Sequence, residues 1–103
     1  MQSPRLITCV MADKLSNSII RMLQEERGIV TANKFSAKGT SFIEHLDIRQ
    51  MDVLTVVVEE DVADEVFELL YEVAEINRPH GGMIFQEKLG RCSDYILPNP
   101  SDI

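Results

Sequence analysis

Six residues in the middle of the chain, Val53-Leu54-Thr55-Val56-Val57-Val58, limit its fold more than any others. The run is short and rich in β-branched residues, so it is predicted as a strand. Side chains alternate between the two faces of a strand, and here both alternating sets are apolar. Both faces of the sheet that contains this strand therefore need cover. Whether the rest of the chain can supply two covers decides what it can fold into.

The remainder supplies two helices and three further strands. Leu6-Ile7-Thr8-Cys9-Val10-Met11 is predicted as a buried strand. Asp13 then offers a helix cap, Leu15, Ile19, Met22 and Leu23 recur at helical spacing, and Gly28 ends the helix after about four turns. Residues 29–37 are predicted as a second strand on the strength of Val30, Thr31 and Phe35, against the weaker strand formers Ala32, Asn33 and Lys34. After Val58, Glu59-Glu60-Asp61 leads into a second helix with Asp61 as its cap and Val62, Val66, Leu69, Leu70 and Val73 as its inner face. Glu65, Glu68, Glu72 and Glu75 form the opposite stripe, a solvated face, since nothing pairs them with a His or a second acidic wall.

Arg78-Pro79-His80-Gly81-Gly82-Met83-Ile84-Phe85 joins that helix to a last strand, predicted from Met83 to about Leu89. Pro79 cannot continue a helix, and the paired glycines permit backbone shapes closed to other residues. Two roles fit: a turn that aims the strand into the sheet, or a nest of bare N–H groups that holds an anion. Residues 90–103, with Pro98 and Pro100, are expected to be irregular. Residues 39–50 form a connection far longer than the usual ~4–6 residues, which points to a mobile, functional segment. It mixes Phe42, Ile43 and Leu46 with Glu44, His45, Asp47 and Arg49, a composition suited to meeting a partner.

The order strand, helix, strand, strand, helix, strand contains two βαβ halves. It predicts a single α+β domain of 103 residues, a ferredoxin-like βαββαβ sandwich with an antiparallel sheet. Right-handed crossovers put both helices on one face. The second face then has no cover, and an uncovered apolar face marks an interface, so a homo-oligomer is expected.

Ten basic and seventeen acidic residues give a net charge of −7. Such a chain lacks the basic surface that nucleic acid requires, although a basic partner or a nucleotide held by backbone N–H groups is compatible with it. Cys9 sits in an apolar run and Cys92 follows Gly90-Arg91; both are expected to be inert thiols. No signal-peptide pattern opens the chain and no apolar run approaches ~20 residues, so no direct membrane insertion and a cytoplasmic location are expected.

With these elements in place the chain resembles the nitrogen-regulatory P-II signalling family, in particular its divergent PII-like branch. The resemblance spans nearly the whole chain. It rests on the element order, on Gly28-Ile29 after the first helix, on Lys38-Gly39 where the family's mobile loop opens, and on Gly82-Met83-Ile84-Phe85 at the entry to the last strand. Val56-Val57-Val58-Glu59-Glu60-Asp61 is similar to the family's entry to its second helix. The resemblance implies a homotrimer that binds an adenine nucleotide between subunits and signals through the loop to a transporter or enzyme. It places Gly39, Thr40 and Ser41 on one side of the nucleotide and Arg78, Gly81, Gly82 and Met83 on the other, with Phe42, Glu44, His45, Asp47 and Arg49 facing the partner.

Three departures bear on the ligand. Met83 stands where the family has Lys, Arg91 is the sole candidate for a basic Arg-x-Arg near the end, and the loop carries no Tyr to modify. ADP, AMP, ATP or another small anion all fit that reduced charge. An alternative is a metal-handling trimer using His45, Asp47 and His80, with Cys92 as a further ligand. Ser41, His45 and Asp47 are triad residue types, but a triad is a geometry and no nucleophile elbow accompanies them, so no enzymatic activity is expected.

Overall fold

The computed structural model describes residues 3–38, 50–79 and 81–90. Six elements succeed one another: β1 (Arg5–Ala12), α1 (Asp13–Arg27), β2 (Asn33–Lys38), β3 (Gln50–Val58), α2 (Glu60–Val73) and β4 (Met83–Lys88). The strands make one sheet in the order β2-β3-β1-β4, every neighbouring pair antiparallel. β1 and β2 thus run parallel with β3 between them, and β3 and β4 run parallel with β1 between them. This small α+β domain is consistent with the ferredoxin-like arrangement expected from the element order.

Register assigns the faces. Cys9 stands opposite Leu54 on one side and Ile84 on the other. Ile7, Cys9 and Met11 therefore share a face with Leu54, Val56 and Val58. Ile19 and Leu23 of α1 and Ala63, Val66 and Leu70 of α2 close over those six residues in a single core, so both helices lie on the same side. Burial of Cys9 pushes its thiol up to about 12, which leaves it an inert core group. Leu6, Thr8 and Val10 of β1 and Met51, Val53, Thr55 and Val57 of β3 point the other way and are only half-buried. At the sheet's two edges the same face carries Phe35 (57% exposed), Met83 (57%) and Phe85 (40%).

Several local expectations are corrected. Neither helix has a side-chain cap: Ala12 and Glu59 are the N-caps, while Asp13 and Asp61 fall inside the first turns. β1 runs straight into α1 without an intervening residue, which places Asp13 inside the helix; both acids lie in first turns, where they favour the helix dipole and make no cap hydrogen bond. The inner face of α2 is Ala63, Val66, Leu70 and the following Ala74, with Leu69 and Val73 half-buried and Val62 exposed. Small residues at 63 and 74 let the helix lie close to the sheet, and that sets its phase. β2 begins at Asn33 and not at 29, using the residues least suited to a strand; pairing with β3 overrides propensity. Thr31 contributes differently, donating its hydroxyl to the Val57 carbonyl at 2.6 Å. Gln50 belongs to β3 and pairs with Lys38, which leaves residues 39–49 as the connection.

The two helices leave by left-handed residues. Gly28 (φ 66) ends α1 and donates to Gln24 O at 3.2 Å, followed by Ile29 N–H to Leu23 O at 2.9 Å. Glu75 (φ 58) follows α2 in the same region of backbone space, with a Cβ where glycine is usual. Among the described residues no helix is long and apolar enough to cross a membrane.

Candidate functional site at one end of the sheet

β1 ends, β3 begins and β4 begins at the same end of the sheet: Ala12 pairs with Met51, Gln50 with Lys38, and Met83 with Val10. The two roots of the long connection and the glycine turn consequently share that end. They are two to three strands apart, about 10–14 Å at the usual inter-strand spacing.

The glycine turn is built by packing. After Glu75 the chain curls through Arg78 N–H to Glu75 O (3.1 Å) and Gly81 N–H to Arg78 O (2.9 Å). A Cβ on Gly81 would run into the backbone carbonyls of Glu75, Ile76 and Arg78. A Cβ on Gly82 would run into the carbonyl of Val10, and φ at Gly82 is 104°. Both glycines are thus needed to bring the turn against β1. The expectation of a bare N–H at Gly81 is corrected, since that group is engaged within the turn. Arg78 is 71% exposed in its side chain and turns back to Glu75, with Nη1 2.8 Å from the carboxylate. Met83 stands beside Val10 on the open sheet face. Arg78, Gly81, Gly82 and Met83 are therefore together here. Gly39, Thr40, Ser41, Phe42, Glu44, His45, Asp47 and Arg49 lie outside the described residues, as do His80 and Cys92. No group of three metal-binding side chains occurs among the described residues.

A second cluster at the same end escaped the sequence analysis. Asp52 is 1% exposed, on the helix side of β3. Its Oδ2 accepts from the hydroxyl of the fully buried Ser16 and lies 3.3 Å from Lys34 Nζ, while Oδ1 accepts from Ser36 Oγ at 3.0 Å. Lys34 Nζ also donates to Ser16 Oγ at 3.1 Å. Three elements meet on one carboxylate: α1 through Ser16, β2 through Lys34 and Ser36, and β3 itself. The Ser16 hydroxyl, with help from Ser36 and Lys34, holds the Asp52 carboxyl below its ordinary range against the opposing effect of burial. Asp52 is ionised, buried and paired, the condition under which a buried charge is tolerated. The signal was in the sequence: Ser16 precedes Ile19 by three residues and Leu23 by seven, and Asp52 is in phase with Leu54, Val56 and Val58, so both occupy core positions.

No family model matches the chain and no curated protein matches it in sequence. The fold does match solved structures, with 99 matching chains. One match is a functionally unknown protein from Pediococcus pentosaceus ATCC 25745, 14% identical, covering 92% of this chain and 100% of that one with a TM-score of 0.69. At that identity the likeness establishes the fold alone.

Proposed function

We propose that this chain is a PII-like regulatory protein, a homotrimer that binds a small anionic effector, an adenine nucleotide first among the candidates, and is not itself an enzyme. The observation that supports it is the convergence at one sheet end of the glycine turn and the roots of the long connection, beside an open apolar face on which Met83 stands. A gap of about 10–14 Å between those segments is wide for one subunit to bridge and suits a cleft completed by a neighbour. The effector would sit between subunits, and residues 39–49 would carry its state to a regulated transporter or enzyme in the cytoplasm.

Light scattering on the purified chain, with calorimetric titration of ADP, AMP, ATP and Zn²⁺, tests this. A trimeric mass and nucleotide binding are expected. A monomer at micromolar concentration, or binding of Zn²⁺ with no nucleotide bound, would replace it. Arg78→Gln should weaken nucleotide binding by roughly 1.5–3 kcal/mol, the range for a charge-assisted hydrogen bond, and Met83→Lys should tighten polyphosphates more than AMP. Gly82→Val is uninformative about binding, because its side chain would collide with β1 whether or not a ligand is held there.

A further inference from the structure

Two of the four strands in this sheet, β1 and β3, have their register fixed by buried apolar side chains. β1 and β3 each present a buried apolar set to the helices, and a one-residue slip would turn it outward. β2 has no such set. Its described side chains toward the helices are Lys34 and Ser36, and on the open face Phe35 stands opposite Val53. A slip of two residues would keep every side chain on its own face and would move Phe35 beside Met51 or Thr55, which are also on the open face. Among the described side chains of β2 no buried apolar one opposes that slip; just ahead of the strand Ala32 packs on the core and the Thr31 hydroxyl holds the Val57 carbonyl. Within the strand itself, what opposes it is Asp52: Ser36 is its direct cross-strand partner, and Lys34 reaches the same carboxylate from the next position on that face. Ser16 in turn holds the carboxylate under the first turns of α1, so the pairing is fixed relative to the helix layer as well.

We propose that the Asp52–Ser16–Lys34–Ser36 network is a register pin, which selects one pairing of β2 with β3 and so fixes where residues 39–49 leave the sheet. A two-residue slip displaces one root of that connection from the other by about 7 Å, which is large against the size of any site built at this end. A buried polar group that specifies register at little or no gain in stability is a known physical device. This inference stands independently of the regulatory function proposed above.

Asp52→Leu in the full chain tests it, with cross-strand nuclear Overhauser contacts and amide exchange as readouts. The variant is expected to keep its helices and a single β1–β3 and β1–β4 register. A second set of β2–β3 contacts should appear, and amide protection in β2 should fall on the order of tenfold or more, the equivalent of one charge-assisted hydrogen bond. Its melting temperature is expected to change little, since Lys34 can extend its amine to solvent and an apolar side chain fits the core. A single native set of β2–β3 contacts with wild-type protection in β2 would overturn the proposal. If Asp52→Leu fails to fold, Lys34→Met with Ser36→Ala removes the β2 side of the network alone. Loss of protection confined to β2 then supports the pin, and unchanged protection overturns it.

Discussion

Val56 and Val57 are identical and adjacent, yet the two faces of the sheet treat them differently. Val56 is fully buried under the helices, beside Ile7 of β1. Val57 lies opposite Leu6 on the other face and remains half-exposed. Alternation in the sequence places the same demand on both. The chain's own helices meet it once, and the described elements leave the second demand open. The polar groups divide in the same way. The helix face contains a buried carboxylate with three protein partners, whereas the open face places Thr8 opposite Thr55 with no charge at its centre.

The largest effect that could break this contrast comes from placing one charge on each face. Val56→Asp puts an unpaired carboxylate in the core, where the loss should be several kcal/mol out of a total of roughly 5–15, enough to abolish a cooperative melt followed by circular dichroism. Val57→Asp should leave the subunit folded and reduce the mass seen by light scattering, because the open face is where copies are proposed to meet. If Val57→Asp unfolds the dilute chain as Val56→Asp does, the two faces are equivalent and the open face belongs to the core of the subunit.

How much of this was legible follows from which signals are periodic. The order of the six elements and the inner face of α1 were legible from apolar runs and spacing, and the paired glycines marked the turn that packs on Val10; the inner face of α2 was only partly legible, because Ala63 and Ala74 carry little apolar signal. Helix caps were misassigned because an acid near a helix start stabilises the dipole from several positions, and sequence does not say which. β2 was placed too early, because its poor strand formers are held by a cross-strand carboxylate and not by their own preferences. The Asp52 network was missed for a related reason: polar residues at core phase look like breaks in a pattern until their partners, 16 to 36 residues away, are seen together.

Acid provides the next test, confined to the helix face. Asp52 in the folded state sits below its ordinary value because Ser16, Ser36 and Lys34 favour the carboxylate. The folded state thus binds a proton less readily than the unfolded chain. The contribution is fully present above the unfolded carboxylate value of about 4 and is lost as pH falls through the folded one. Glu60, exposed and paired with Arg5 at 2.8 Å, is shifted in the same direction and adds to the trend. Urea midpoints should therefore hold steady from pH 7 to 5 and fall below pH 4. Asp52→Asn should begin lower at pH 7 and show a shallower fall; equal slopes would mean that other carboxylates dominate acid unfolding.

The smallest effect compares two hydroxyls. Ser16→Ala removes the principal donor to a carboxylate that has no solvent to replace it, so the loss should be about 1.5–3 kcal/mol by urea unfolding at pH 7. Thr55→Val removes a hydroxyl of similar size from the centre of the open face. There the group is half-exposed, no buried charge depends on it, and valine suits a strand as well as threonine does, so the change should stay within about 0.5 kcal/mol. The sign of the difference matters more than its size. A hydroxyl deletion tolerated at Ser16 would mean that Lys34 and Ser36 alone satisfy Asp52, and α1 would then have no part in holding β2. A costly deletion at Thr55 would mean that its hydroxyl is buried and bonded in the assembled protein, so that the open face would carry a polar network of its own.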